Sequence, residues 1–155
     1  MAIATFAAGC FWGVEARFRE IVGVQSTRVG YTSGETLDPD YKQVCTGTTG
    51  HAEAIEVTFD TAKISFDELL NVFWHLHNPT TLNRQGPDRG TQYRSAIFYH
   101  NDEQQQQALT AKQNLNETNT FGNPVVTEIT AATLFYPAED YHQCYLEKKG
   151  LGSCH

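Results

Sequence analysis

The chain has 155 residues, 40% of them hydrophobic, and a formal net charge of −7. It is long enough to bury a substantial core and fits one domain, and its acidic balance argues against nucleic acid as the main partner, because phosphate binding needs a basic face. No apolar run approaches a membrane span, and the first ten residues lack the basic n-region and long apolar core of an export signal, so a cytoplasmic protein is expected.

Residues 3–8 (Ile-Ala-Thr-Phe-Ala-Ala) read as a buried strand, and Val14, Phe18 and Ile21 recur at the spacing of a helix over 11–20. Between them stands Gly9-Cys10-Phe11-Trp12-Gly13. Cys10 is therefore expected where a strand turns into a helix, beside unpaired backbone N–H groups and the positive end of the helix dipole. Both favour the thiolate, the reactive form of cysteine. The flanking glycines suit a tight turn or the close approach of a substrate, and Phe11 and Trp12 are placed to wall an apolar pocket. The plainer alternative is a buried thiol with two core aromatics.

A second strand is expected over 26–31, then a turn-rich loop over 32–41 containing Ser33-Gly34 and Asp38-Pro39-Asp40. A short helical turn over 41–45 and a glycine-threonine loop follow. Ile55, Val57 and Phe59 alternate with Glu56 and Thr58, marking a half-buried strand over 51–59. Ser65 and Glu68 form a capping box for a helix that ends near His77, before Pro79. Residues 80–90 read as a polar loop and 93–99 as a strand. Asn101-Asp102 caps a polar helix over 103–116, 124–130 reads as a strand, and 139–148 as a helix ending at Gly150. The expected architecture is a two-layer α+β sandwich with a mixed or antiparallel sheet, because several strands are joined too tightly for a purely parallel one. Loops 32–50 and 78–92 are long enough to build a site. Cys10, Cys45, Cys144 and Cys154 are widely spaced, which in a reducing compartment suggests catalytic or redox roles.

Gly9-Cys10-Phe11-Trp12-Gly13 closely resembles the signature of peptide methionine sulfoxide reductase A. Gly30-Tyr31-Thr32, Thr49-Gly50-His51-Ala52-Glu53-Ala54, Gly90-Thr91-Gln92-Tyr93-Arg94-Ser95 and residues 136–142 are similar to the same family in the same order, so the resemblance covers nearly the whole chain. It implies a ferredoxin-like sandwich. It also implies a monomeric enzyme that reduces methionine S-sulfoxide, free or in proteins, without bound cofactor or metal and with thioredoxin as external reductant. By this resemblance Cys10 attacks the sulfoxide sulfur and becomes a sulfenic acid, Phe11 and Trp12 hold the S-methyl group, and Tyr41 and Tyr93 hydrogen-bond the oxygen. Asp88 matches an acidic residue that helps position the site. Cys154, on a tail over 149–155, matches a resolving cysteine that forms a disulfide with Cys10.

Glu53 lies between Ala52 and Ala54, where burial would keep it protonated and able to act as the general acid. Cys144 stands where the family often has glutamine and is expected to pack in the core. Cys45 is expected to be a buried structural thiol, and His51 structural. A cysteine hydrolase with His51 or His142 as base is the second reading, and a zinc-binding module using His142, Cys144, Cys154 and His155 the third.

Overall fold

The computed structural model describes residues 1–148. The first strand, β1 (Ala2–Ala8), is followed by α1 (Phe11–Arg19), β2 (Val24–Thr32), the short α2 (Tyr41–Cys45), β3 (Ala52–Phe59) and α3 (Phe66–Leu76). Next come a small hairpin of β4 (Arg84–Gln85) and β5 (Asp88–Arg89), a 3₁₀ turn (Thr91–Tyr93), β6 (Ser95–Tyr99) and α4 (Asp102–Glu117). The described chain closes with β7 (Glu128–Ala131), β8 (Phe135–Pro137), a second 3₁₀ turn (Asp140–His142) and α5 (Tyr145–Lys148).

Among the described residues the main sheet has six strands in the order β7-β6-β1-β3-β2-β8. All neighbours pair antiparallel except β6 and β7, so the α+β class and the mixed sheet are as expected. Side-chain alternation divides the two faces. Ala4, Phe6 and Ala8 of β1 and Ile55, Val57 and Phe59 of β3 face the helices and build the main core, while Ala7, Ala52, Ala54, Ala96 and Phe98 form a smaller cluster on the other face. Phe6 centres the main core, stacked between Phe18 at 5.3 Å and Phe73 at 5.2 Å. The α3 capping box is formed: Ser65 Oγ accepts from the Glu68 N–H at 3.1 Å and Glu68 Oε1 accepts from the Ser65 N–H at 3.2 Å. Its apolar face is buried through Phe66, Leu69, Leu70, Phe73, Trp74 and Leu76. Among the described residues no helix is long and apolar enough to cross a membrane.

Four local expectations are corrected. The polar loop at 80–90 contains the β4–β5 hairpin. Tyr93 lies in a 3₁₀ turn ahead of β6, because Arg94 donates to the carbonyls of Thr91, Gly50 and Ser33 at 2.9, 3.0 and 3.2 Å and so ties three loops together. The strand at 124–130 shrinks to β7, since Val126 N–H bonds to Pro79 O instead of to a strand. The helix at 139–148 is broken at Gln143 and Cys144. Gln143 Nε2 donates to Val29 O at 2.8 Å, and Cys144, at φ 52°, donates its N–H to Glu15 Oε1 at 2.7 Å. The edge strand β8 was not expected. It reaches β2 because residue 30 is glycine: a Cβ there would strike Tyr136 O and the Phe135 ring.

Candidate active site

Cys10 is the N-cap of α1. The turn that delivers it depends on Gly9, whose φ is +95° and whose Cβ, if present, would lie 2.8 Å from Gln85 Cγ. Only glycine combines that conformation with that contact. Gln85 is itself held, accepting the Asn78 N–H at 3.0 Å and donating to Asn78 O at 2.6 Å. The β4–β5 hairpin is thereby pinned against the thiol-bearing turn. Asp88, paired with Gln85 across the hairpin, comes with it, and its charge acts on both Cys10 and Glu53.

Glu53 enters from the start of β3. It shares the parity of Ile55, Val57 and Phe59, so it faces the helix layer where α1 begins. It is 1% exposed, and its Oε1 accepts the N–H of Phe11, the residue after Cys10, at 3.4 Å. Oε2 has no hydrogen-bond partner among the described residues. Burial holds the carboxyl up at about 8, against the pull of the Phe11 N–H and with the help of Asp88. Glu53 therefore carries its proton at neutral pH.

The thiol departs from expectation. Burial pushes Cys10 up to about 11; the N–H groups of Trp12 and Gly13 pull it down, and the charges of Glu53 and Asp88 push it up. The helix-start donors stand where they were anticipated, but burial outweighs them. At neutral pH the sulfur and the carboxyl both hold their protons.

Aromatic rings enclose the site. The Trp12 indole donates from Nε1 to His142 Nδ1 at 2.9 Å and stacks on Tyr145 with ring centroids 3.9 Å apart. The His142 ring lies 4.3 Å from Tyr41, 5.4 Å from Phe11 and 4.1 Å from Tyr141, centroid to centroid. His142 is 1% exposed, and burial lowers its pKa against the opposing charge of Glu139. With Nδ1 accepting, the bond pattern assigns the ring proton to Nε2.

Tyr41 opens α2 behind an Asp40–Gln43 capping box. Glu139 anchors it: the carboxylate accepts the Tyr41 N–H at 3.3 Å, the Tyr31 hydroxyl at 3.0 Å and the Tyr141 hydroxyl at 3.2 Å. Burial would raise the Glu139 pKa, but its own backbone N–H and these bonds together outweigh it and hold it below the usual value. The Tyr41 and Tyr93 hydroxyls are pushed far up, first by burial and then by Cys45 for Tyr41 and by Glu53 for Tyr93. Both stay protonated and remain donors. Gln92 Nε2 donates to Cys45 O at 3.4 Å, tying the Tyr93 turn to α2.

Cys10, Phe11, Trp12, Tyr41, Glu53, Asp88 and Tyr93 are thus brought to one place, while Cys154 lies outside the described residues. Cys45 is exposed, not buried: it sits at the open end of α2. Cys144 is half-buried, its N–H held by Glu15. The sequence reading had missed His142 as the acceptor for Trp12, together with Tyr31 and Glu139. The similar stretch 136–142 pointed at the region, but the residues these side chains meet lie more than ninety positions away. His51 is 1% exposed and sits edge-on to Tyr136 at 5.7 Å. His142 Nδ1 is taken up by the Trp12 indole and the His51 ring lies against Tyr136, so the bonds shown for either histidine do not make it the base of a cysteine hydrolase. Among the described residues no group of three or more His, Cys, Asp or Glu side chains is set to hold a metal ion.

A cysteine at a helix start, facing a protonated buried carboxyl and two tyrosine donors, defines a thiol oxidoreductase. The family model for peptide methionine sulfoxide reductase matches residues 2–155, and the chain belongs to that family. It is 59% identical over 148 residues to the peptide methionine sulfoxide reductase MsrA of Methanosarcina acetivorans, covering 96% of this chain and 79% of that one. Its structure is similar to that of reduced Mxr1 from Saccharomyces cerevisiae, with a TM-score of 0.91, 38% identity, and coverage of 97% of this chain and 87% of the other. Mxr1 in complex with Trx2 is also similar, with a TM-score of 0.65, 26% identity and coverage of 93% and 84%. The chain is a methionine sulfoxide reductase of the A class, with the activity of a peptide-methionine (S)-S-oxide reductase.

Proposed function

We propose that Cys10 is the nucleophile, Glu53 the general acid, and Tyr41 and Tyr93 the donors that polarise the sulfoxide oxygen of methionine S-sulfoxide, free or in proteins. Phe11 and Trp12 take the S-methyl group, and Asp88 positions the thiol and the acid. The observation that carries this reading is the Glu53 carboxyl, buried and joined to the residue after the thiol at 3.4 Å, where burial raises its pKa to about 8. In the first step the oxygen passes from the sulfoxide to sulfur: Cys10–SH and R₂S=O give Cys10–SOH and R₂S. The sulfoxide is reduced by two electrons and the thiol oxidised by two, while Glu53 lends a proton to the leaving oxygen and regains it.

In the second step the Cys154 thiol attacks the sulfenic acid, forming a Cys10–Cys154 disulfide and releasing water. A thioredoxin dithiol then reduces that disulfide by exchange. The Mxr1–Trx2 complex supports the choice of reductant. Residues 1–155 form one catalytic domain with a terminal segment carrying the resolving thiol. Its frame is ferredoxin-like, a reading supported by the succession β1-α1-β2-β3-α3-β6 and the central order β6-β1-β3-β2.

The test is a single turnover without reductant, using reduced protein and excess N-acetylmethionine S-sulfoxide, with disulfides mapped by mass spectrometry. Stoichiometric sulfide and a Cys10–Cys154 bond are expected. A Cys10–Cys144 bond would move the resolving role, and absence of sulfide from fully reduced protein would overturn the assignment of the site.

A further inference from the structure

We propose that the outer face of the β4–β5 hairpin is a docking surface for acidic residues flanking methionine sulfoxide in a protein substrate, an inference that rests on the function just given. Strand alternation divides the hairpin. Gln85 pairs with Asp88, and Arg84 with Arg89. Gln85 packs on Gly9, and the Asp88 charge acts on Cys10 and Glu53, so that pair marks the face turned to the thiol. The period of two puts Arg84 and Arg89 together on the opposite face.

Like charges directly opposite one another destabilise a strand pair, and nothing nearby relieves this one. Among the described residues Arg17, Arg28 and Arg94 have carboxylate partners in Glu20, Glu56 and Glu128, whereas neither Arg84 nor Arg89 has an ion pair or a side-chain hydrogen bond. The chain carries 18 acidic against 11 basic residues, so two adjoining free guanidinium groups are a local reversal of its charge. The reversal is also placed. Gln85 packs the hairpin against Gly9 in the turn that bears Cys10, while Glu139 and the Asp40 cap stand beside Tyr41. The outer face of the hairpin is cationic, while Asp40 and Glu139 put carboxylates on the α2 side.

The occupant follows from that geometry. An extended peptide advances about 3.3 Å per residue, so residues two to four positions from a bound methionine sulfoxide lie roughly 7–13 Å from it, which carries them past the edge of the hairpin to its outer face. Guanidinium groups side by side suit carboxylates, which they hold in bidentate fashion.

Two peptides test this, one with glutamates and one with glutamines two to four positions from a methionine S-sulfoxide, both with dithiothreitol as reductant. Wild type is expected to favour the acidic peptide about fivefold in kcat/KM, mainly through KM. The preference should shrink in about 0.5 M salt and vanish in the Arg84→Gln/Arg89→Gln protein, with turnover of N-acetylmethionine S-sulfoxide unchanged. Equal kcat/KM for the two peptides in wild type, or a preference that survives the double substitution, overturns the proposal. So does a double variant slowed only when thioredoxin replaces dithiothreitol, since the cations would then serve the reductant. Wild type inactive toward N-acetylmethionine S-sulfoxide would instead refute the underlying reading of the site.

Discussion

Trp12 donates its indole N–H to His142 Nδ1 at 2.9 Å. The bond spans 130 positions in the chain and fixes the wall of the proposed methyl pocket from behind. An imidazole protonated at Nδ1 cannot accept it, so burial, which lowers the His142 pKa, is what keeps the acceptor available at neutral pH. His142→Leu leaves the half-buried Trp12 indole without its acceptor, a loss of about 1 kcal/mol. The expected result is a lower Tm and a KM for sulfoxide raised several-fold, with kcat nearly unchanged. His142→Asn, whose side-chain oxygen falls near the Nδ1 position, should recover most of the KM. If His142→Asn behaved like His142→Leu, the hydrogen bond would not be what orients Trp12.

Glu53→Gln separates the acid from the carboxyl's shape. Because the thiolate is the attacking form and Cys10 ionises only at about 11, the wild-type sulfoxide step should rise with pH up to about 8 and level off above it, where Glu53 gives up its proton as fast as thiolate is gained. The variant should be slower by about 10²-fold or more, the usual worth of a general acid, and should lose the levelling near 8, its rate continuing to rise with the Cys10 thiolate; single-turnover stopped-flow between pH 6 and 10 reads both. Stability should move the other way. The folded carboxyl titrates at about 8, above its ordinary 4.5, so the folded state binds the proton more tightly than the unfolded chain. The contribution of Glu53 to stability is fully present below pH 4.5 and is lost as pH rises through 8. Glu53→Gln should therefore gain on wild type across that window, by on the order of 4 kcal/mol. Denaturation curves that stay parallel at pH 5 and pH 9 would contradict the burial argument.

Gly9→Ala tests the junction between thiol and hairpin. A methyl group there meets Gln85 Cγ at 2.8 Å, on a backbone at φ +95°. Strain of this kind costs about 1–3 kcal/mol, and relief requires the β4–β5 hairpin to move, carrying Asp88 with it. Lower Tm and reduced kcat/KM are expected together. Combining Gly9→Ala with Gln85→Ala, which removes the contact, should restore part of both. Additive losses would place the cost in the backbone alone.

Much of this frame was legible because its determinants are local. The Ser65–Glu68 capping box closes within three positions, and the alternation of Ile55, Val57 and Phe59 marks a face directly. Glu53 between two alanines could be read as buried for the same reason. What escaped depends on distant partners. The predicted helix at 139–148 breaks because Gln143 bonds to Val29 and Cys144 to Glu15, 114 and 129 positions away, and no helical periodicity carries that information. Tyr93 left the expected strand because Arg94 gathers carbonyls from three loops. The resting thiol was misjudged likewise: the dipole at Cys10 is a property of α1 alone, whereas what opposes it is burial together with the charges of Glu53 and Asp88, delivered by β3 and β5.

Cys10 and Glu53 are coupled titrating groups, and their coupling can be measured. Above pH 8 the Glu53 carboxylate opposes ionisation of a thiol that burial has already pushed to about 11. Alkylation of Cys10 by iodoacetamide should therefore be slow at neutral pH and should accelerate only as pH approaches that value, because only the thiolate reacts. In Glu53→Gln the opposing charge is gone while the burial remains, so the midpoint of the rate profile should fall but stay above that of an ordinary cysteine. Asp88→Asn should shift it in the same direction by less, since Glu53 ranks ahead of Asp88 in its effect on the thiol. Mass spectrometry of the Cys10 peptide distinguishes this thiol from the exposed Cys45, which must be quantified in the same digest. A Glu53→Gln midpoint at or above the wild-type value would mean that the carboxyl stabilises the thiolate, and would assign Glu53 a different part in the reaction.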